Sequence, residues 1–318
     1  MEITMKEAAS WLASQDDLLI LCHRNPDGDT LGSGYGFWHI LKAMGKRAAI
    51  RCSDPLPKKL QYLAEGYLEE DFEPRAVVSV DIADQQLMGE GLSPWRDRVD
   101  LAIDHHPSNT RFAARLLLEG ESAATCELIC LLADELGVSL TREMATCLYT
   151  GMATDTGCFK FNNTTPRTHR LAARLMETGI DYAWINRHHF DTKTRNQLAL
   201  EQQVISNMEY HFDGAAALII LTENMYQIFG VTEAEMDGVA AIPRKVEGVE
   251  VGITIKERGP QEYKISLRSA ERVNVSAVCA TLGGGGHYFA AGCTLKGPLP
   301  EVKARILKAV GKALEEQA

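Results

Sequence analysis

The chain has 318 residues, 45% of them apolar, which is enough for two cored domains. Lys and Arg number 33 against 43 Asp and Glu, a formal net charge of −10. That balance argues against a grip on long nucleic acid along a continuous basic surface, although two or three local cations can still hold a small phosphorylated ligand. The N-terminal M-E-I-T-M-K-E-A-A-S-W-L has no basic stretch followed by an apolar one, and no apolar run approaches the roughly 20 residues that span a bilayer. A soluble cytoplasmic protein without a membrane partner is therefore expected. Cys126 and Cys130 lie four apart in T-C-E-L-I-C-L-L and read as helix packing rather than as metal ligands.

After an amphipathic N-terminal helix, the apolar run from Leu18 reads as a buried strand that changes character at His23. The next residues, H-R-N-P-D-G-D, offer one imidazole and two carboxylates, His23, Asp27 and Asp29, on a loop shaped by Pro26 and Gly28. The same D-G-D triplet is a common solvent-facing turn, so the rest of the chain decides between the two readings. Residues 30–44 read as a helix whose glycines let something approach its first turns, 46–52 as a strand, and 58–63 as a short helical piece. R-A-V-V-S-V-D (75–81) reads as a central parallel strand closing on Asp81, and V-D-L-A-I-D (99–104) as another, closing on Asp104, His105 and His106. A strand at 110–118 and helices at 123–136 and 141–153 follow, and Asp155 comes just after the second helix, beside a turn at Gly157.

Strands alternating with helices predict an open, mostly parallel α/β sheet with helices on both faces, whose ligands bind beyond the carboxyl ends of the strands. His23, Asp81 and the group Asp104–His106 each follow a strand, at that same edge. A helix capped by Thr165, with Pro166 at its first position, and a mostly helical stretch over 180–207 lead to a second domain. His188 and His189 read as half-buried packing or hinge residues. The expected division is a first domain over 1–190, a linker over 191–210 and a smaller mixed α/β domain over 211–318, facing the first across a cleft. In that second domain, 215–222 reads as a strand, 224–230 and 233–242 as helical, 249–256 with 262–268 as a hairpin on a loop longer than two residues, and 274–282 as a helix. A run of four glycines ending on His287, a strand over 290–295 and an amphipathic helix over 300–316 complete it.

His23, Asp27, Asp29, Asp81, His105 and Asp155 form a mixed nitrogen and oxygen donor set without thiolate, which favours Mn²⁺ or Mg²⁺, with Zn²⁺, Co²⁺ or Fe²⁺ as alternatives. Six donors suit two ions, with Asp81 on the central strand as the bridge and a phosphoryl group as the natural target. Asp104 is placed to orient an imidazole, and His106 to contact the phosphoryl group or protonate the leaving oxygen. Gly283, Gly284, Gly285 and Gly286 offer consecutive N–H groups as an anion nest, His287 adds a charge-assisted donor, and Arg268 and Ser269 add a guanidinium and a hydroxyl.

The segments H-R-N-P-D-G-D-T-L-G-S (23–33), V-S-V-D-I-A-D (78–84), D-H-H-P (104–107) and T-D-T-G (154–157) resemble the DHH phosphoesterase superfamily. S-L-R-S (266–269), V-N-V-S-A-V (273–278) and G-G-G-G-H-Y-F-A-A-G (283–292) resemble the DHHA1 domain that follows it in one branch. The resemblance implies one metal on His23, Asp27 and Asp81, a second on Asp29, Asp81, His105 and Asp155, and a substrate phosphate on the glycine loop, His287 and Arg268. Chains of this size and domain order are similar to the bifunctional oligoribonuclease and pAp phosphatase group. The resemblance thus implies a hydrolase that cuts very short RNA to 5′-mononucleotides and removes the 3′-phosphate of 3′-phosphoadenosine 5′-phosphate. The donor set makes manganese the expected metal, and the acidic balance and small second domain favour RNA of two to five nucleotides, with no long duplex as partner and a homodimer compatible. Cyclic di-AMP or pApA hydrolysis is the alternative within the family, and a nucleotide-binding regulatory module the alternative outside catalysis. Pyrophosphatase activity is expected to be small, because the second domain brings glycines and one histidine where a small substrate would need several cations. Thr30, where many relatives carry a small apolar residue, is expected to touch no ligand.

Overall fold

Thr4 and Glu7 start the first helix. The Thr4 N–H donates to Glu7 Oε2 at 2.8 Å and the Glu7 N–H to Thr4 Oγ1 at 3.3 Å, a reciprocal cap for α1 (Met5–Ser14). The computed structural model describes residues 1–232 and 234–317, in two units that divide between Thr192 and Lys193.

In the first unit, β1 (Leu18–Cys22), α2 (Gly28–Ala43), β2 (Ala48–Cys52), β3 (Ala76–Val80), β4 (Leu101–Asp104) and β5 (Arg115–Leu118) follow in order. The strands form a wholly parallel sheet in the order β2-β1-β3-β4-β5. Every residue of β1 and β3 is buried, as a sheet covered on both faces requires. Leu18, Ile20, Val78, Val80 and Ile103 face a core shared with α1, α2, α3 (Thr125–Glu135) and α4 (Arg142–Asp155). Leu19, Leu21, Val77 and Ala102 point the other way, under Met88, Leu92 and Trp95. Helical turns thus cover both faces, but on the second face they are 3₁₀ turns, Gln85–Met88 and Glu90–Arg98. Gly89, at φ +72°, and Pro94 interrupt any longer helix there. The strand expected over 110–118 keeps only its end, because Thr110 N–H donates to Ala83 O at 2.8 Å and Asn109 Nδ2 to Ile82 O at 3.2 Å, tying that stretch to the loop after β3.

Helices α2 and α4 meet backbone to backbone. A Cβ on Gly32 would stand 2.5 Å from the Cys147 carbonyl oxygen and 3.1 Å from Gly151 N. Helix α5 (Pro166–Glu177) starts at the Thr165 cap as expected, and α6 (Tyr182–Asn186) runs into a π-helical turn, Arg187–Asp191. His188 stacks on Trp184 at 4.6 Å, and His189 Nε2 meets Tyr62 Oη at 2.8 Å. Burial, with the like charges of His188 and Lys59, pulls the His189 imidazole down to about 4, so it packs as a neutral ring.

The second unit carries α7 (Arg195–Ser206), β6 (Glu209–His211), β7 (Ala216–Leu221), α8 (Glu223–Phe229), β8 (Val251–Gly259), β9 (Glu262–Ser269), α9 (Val275–Ala280), β10 (Gly285–His287), β11 (Ala290–Lys296) and α10 (Leu299–Glu315). Its mixed sheet runs β10-β11-β9-β8-β7-β6, and only β7 and β8 are parallel. One face packs Ile253, Ile265 and Leu267 against Val278 of α9 and Ile306 of α10. The other sets Ile219 and Leu221 against Leu200 and Val204 of α7. The stretch read as a linker therefore consists largely of a helix in this unit's core. The helix expected over 233–242 is a 3₁₀ run, Ala234–Ala241, with Glu233 outside the described residues. The β8–β9 hairpin closes on only Pro260 and Gln261, shorter than expected, because a register shift between Glu257 and Gly259 lets both strands run on.

Replacing Gly32 with Ala forces a methyl group onto the Cys147 carbonyl. Overpacking of this kind costs about 1–3 kcal/mol, so thermal unfolding should move down by roughly 3–10 °C. An unchanged melting temperature would show that α2 and α4 separate at no cost.

Candidate functional site

The carboxyl edge of the parallel sheet gathers the ionisable residues. His23 follows β1, Asp81 follows β3, Asp104 ends β4, and His105 and His106 come directly after it. Asp27 is the N-cap of α2, accepting from Asp29 N at 3.0 Å and Thr30 N at 3.1 Å. Asp29 lies in the first turn of α2, and Asp155 is the last residue of α4 rather than part of the turn after it. Asp81 takes φ +60°, a left-handed conformation that few residues other than glycine adopt. Its carboxylate is buried, 3% exposed, and meets both halves of the cluster.

Three donor triads converge, each with its ligand atoms within 4.8 Å of one another: His23, Asp27 and Asp81; Asp29, His105 and Asp155; and Asp81, His105 and His106. His23 Nε2 lies 3.6 Å from Asp27 Oδ1 and 3.5 Å from Asp81 Oδ2. His105 Nε2 lies 3.9 Å from Asp29 Oδ2, 3.7 Å from Asp81 Oδ1 and 3.6 Å from Asp155 Oδ2. These separations are long for hydrogen bonds but close to the roughly 3–3.5 Å between atoms that share one cation at about 2.1 Å. The tautomers agree. His23 Nδ1 donates to Arg24 O at 2.8 Å and His105 Nδ1 to Ser122 O at 3.0 Å, so the Nε2 of each ring faces the acids.

The charges do not balance within the cluster. Burial, then the Asp81 and Asp155 charges, push the Asp29 carboxyl well above the carboxylate range, and burial lifts Asp155 to about 6. Burial opposes a charge on His23, yet Asp27 and then Asp81 outweigh it and raise the imidazolium to about 11. A site crowded with more carboxylates than its own imidazoles can neutralise, with Nε2 atoms aimed inward and the His23 proton standing where a cation would, fits divalent cations held by nitrogen and oxygen donors.

A second tier, scattered in sequence, holds these groups. Thr125 N donates to Asp29 Oδ2 at 2.6 Å and Cys126 N to Asp29 Oδ1 at 3.0 Å, so the N-terminus of α3 grips that carboxylate. Thr125 Oγ1 donates to Asp81 Oδ1 at 2.9 Å. Arg167 reaches Ser122 Oγ at 2.6 Å and Glu127 and Glu119 at 3.0 Å each, fixing the residue whose carbonyl receives His105. Asp104, fully buried, accepts from His106 Nδ1 at 2.7 Å, from the His105 N–H at 2.9 Å and from Asn109 Nδ2 at 2.6 Å. It therefore orients the His106 ring, and burial notwithstanding, this hydrogen bond and the Asp81 charge lift His106 to about 9. Thr30, set aside in the sequence reading, accepts the His23 N–H at 3.3 Å and donates to Val80 O at 3.2 Å, tying β1 to β3 beside Asp81. Asn109, five residues after Asp104, was within reach of a local reading; Thr125, Ser122 and Arg167 carry no local signal.

In the second unit, strand register sets a row across the sheet. His287 pairs with Ala290, Ala290 with Arg268, and Arg268 with Gly252. Directly opposed residues share a face, so His287 and Arg268 look out on one side with only small residues between them. The Ser269 hydroxyl, next along β9, is buried without a hydrogen-bond partner among the described residues. The glycine run does not make the expected nest. Gly285–His287 is a strand, in which successive N–H groups alternate in direction and cannot converge on one anion. Sterics explain Gly284 and Gly286, whose Cβ atoms would fall 2.2 Å from Gly292 O and 2.6 Å from Ala290 O.

Residues 17–152 match the model for the DHH family, N-terminal domain, and residues 222–316 that for the DHHA1 domain. The chain is 36% identical over 309 residues to the bifunctional oligoribonuclease and PAP phosphatase NrnA of Thermus thermophilus, covering 95% of this chain and 91% of the relative. It is 25% identical to the cyclic-di-AMP phosphodiesterase PdeA of Listeria monocytogenes, over 94% of this chain and 48% of that protein. A crystal structure of an exopolyphosphatase-related protein from Bacteroides fragilis superposes with a TM-score of 0.86 at 26% identity, covering 98% of this chain and 95% of that one.

The grip of Thr125 on Asp81 is open to test. Thr125→Val removes the hydroxyl at nearly constant volume, and the affinity for Mn²⁺, read by competition with a fluorescent chelator, should fall about tenfold. Unchanged affinity would mean that Asp81 is held by its backbone alone.

Proposed function

Because this chain belongs to the DHH family, in the branch that joins a DHH domain to a DHHA1 domain, we propose that it is a divalent-metal-dependent phosphoesterase that hydrolyses RNA of two to five nucleotides to 5′-mononucleotides and removes the 3′-phosphate of pAp. The observation that carries this is the pair of donor triads, His23 with Asp27 and Asp81, and Asp29 with His105 and Asp155, with Asp81 facing both. We assign one ion to the first triad and a second to the other, with Asp81 shared; the donor set suits Mn²⁺. When bound, such ions supply Lewis acidity at a phosphoryl oxygen and a hydroxide at neutral pH.

The chain's own residues do the rest. His106, with Nδ1 held by Asp104, keeps Nε2 free, and its raised affinity for protons suits it to give one to the leaving oxygen. Asp104 keeps that ring in place and holds the His105 backbone with the same oxygen. Arg268 and His287 bind another phosphate of the substrate. The Ser269 hydroxyl, next along β9 and buried without a hydrogen-bond partner among the described residues, is the further donor we assign to that phosphate. The relatives named for oligoribonuclease and PAP phosphatase activity, and the acidic balance of the chain, support short substrates over long ones.

Chelator should abolish hydrolysis, and Mn²⁺ should restore it best among Mn²⁺, Mg²⁺, Co²⁺, Zn²⁺ and Fe²⁺. Turnover should favour pAp and a dinucleotide over a 24-mer RNA and over pyrophosphate, with pApA and cyclic di-AMP assayed alongside. Equal rates on the dinucleotide and the 24-mer would refute the short-substrate assignment, and full activity in chelator would refute the metal one. Asp81→Asn should cost more activity than Asp27→Asn, because it removes a donor shared by both triads. Asp104→Ala should lower kcat by about 10–100-fold while Mn²⁺ affinity changes little. An equal loss of affinity would move Asp104 from orienting His106 to holding the metal ligands.

A further inference from the structure

Two aromatic side chains stand where a hairpin turn ordinarily carries glycine or asparagine. His287 pairs with Ala290, which leaves Tyr288 and Phe289 as a two-residue turn between β10 and β11. Both are exposed, at 44% and 38%, and their rings meet edge to face with centroids 4.8 Å apart. Their backbone is nevertheless pinned. Val275 N donates to Tyr288 O at 3.0 Å, Ser269 N donates to Phe289 O at 3.0 Å, and Tyr288 Oη donates to Arg272 O at 2.9 Å. The Tyr288 hydroxyl helps to fix the turn, but the exposed ring faces have no such part; they offer a rigid flat partner to a ligand.

The surroundings say which ligand. The turn ends the row of His287, Ala290, Arg268 and Gly252. Arg268 has no carboxylate within ion-pair distance among the described residues, and its guanidinium charge is disfavoured by burial and by the neighbouring Arg244. The backbone of Arg244 packs where Gly252 lacks a side chain, its N 2.8 Å from the position of a Cβ. Two guanidiniums near enough to repel, with no acid in ion-pair distance of either among the described residues, make a site for an anion. Gly285 lies two residues before His287 on the same face of β10, opposite Gly292. A Cβ on Gly285 would meet nothing within 4 Å, so the fold does not need a glycine there; its bareness leaves the floor beside His287 open.

We propose that Tyr288 and Phe289 form a stacking platform for a nucleobase of the substrate, whose phosphate is held by the adjoining His287, Arg268 and Arg244 above the bare floor of Gly285. An anion site alone would accept any phosphate; the aromatic pair beside it selects one that carries a flat ring, and does so without reading which base it is. The platform rests on the nucleotide reading given above.

The test uses the full-length protein with Mn²⁺ and three substrates: 5′-phosphorylated diadenylate and its two analogues, each lacking the adenine at one end. Tyr288→Ala and Phe289→Ala should each lower kcat/KM on diadenylate by about tenfold. One abasic analogue, the one missing the stacked base, should be cut at the same rate by wild type and variants. Phe289→Trp, which keeps the ring, should retain wild-type kcat/KM and guards against loss through misfolding. Gly285→Val should slow all three substrates with an unchanged melting temperature. Equal losses on all three substrates in Tyr288→Ala and Phe289→Ala, or no loss on any, would overturn the platform. If the wild-type protein cuts none of them, the hydrolase reading fails instead, and the platform is then judged by binding of 5′-AMP against ribose 5-phosphate: a preference for 5′-AMP lost in Tyr288→Ala supports it, and equal affinities overturn it.

Discussion

One backbone conformation at the end of the central strand organises the first unit. Asp81 leaves β3 at φ +60°, so its carboxylate turns towards both imidazole groups at once. A residue continuing the strand regularly would have pointed to one face of the sheet or the other. The strain, of the order of 1–3 kcal/mol at such sites, is held in place by Asp81 N–H donating to Ile103 O at 2.9 Å and by the Thr125 hydroxyl on Oδ1. The buried central strands β1, β3 and β4 make that possible, because they cannot shift without dragging two packed cores.

Around Asp81 the fold spends helix ends on carboxylates. Asp27 caps α2 and Asp29 receives the first N–H groups of α3, so two acids that repel each other are each offset by partial positive charge at a helix start. The remaining excess of negative charge falls to a cation. Each of His23 and His105 gives its Nδ1 proton to a backbone carbonyl, which frees Nε2 for the same purpose. The helices that deliver these N-termini can lie so close to the sheet edge because Gly32 and Gly151 let α2 and α4 touch, a contact in which a Cβ at Gly151 would lie 3.1 Å from Asp29 Cα.

The second unit solves a different problem, that of offering cations and flat surface on the open face of a sheet. Its register brings His287 and Arg268 into one row across β10, β11 and β9, and small residues between them keep the row low. The glycine run serves this arrangement chiefly by close packing. Gly284 and Gly286 let β10 lie against β11, and Gly283, at φ +80°, turns the chain into it.

Much of this was legible in the sequence, for a physical reason. Buried parallel strands are continuous apolar runs, so 18–22, 76–80 and 101–104 announced themselves, and the acids and imidazoles closing each run had to emerge at one edge of one sheet. Ligand types are likewise written in the chain, since a nitrogen and oxygen set without thiolate already chooses among cations. The tertiary structure decided whatever depends on residues distant in sequence or on conformations that residue type does not dictate. The left-handed turn at Asp81 is such a conformation, and the contacts Thr125–Asp81, Arg167–Ser122 and Ser122–His105 span 44, 45 and 17 positions. The stretch over 191–210 reads as a linker within a mostly helical region, and the partners that bury Leu200 and Val204 of its helix, Ile219 and Leu221 of β7 with Met236 and Val239, come later in the chain. The second half of the glycine run, Gly285 and Gly286, became a strand because β11 stood beside it to pair with, a partner that glycine's own conformational freedom cannot foretell.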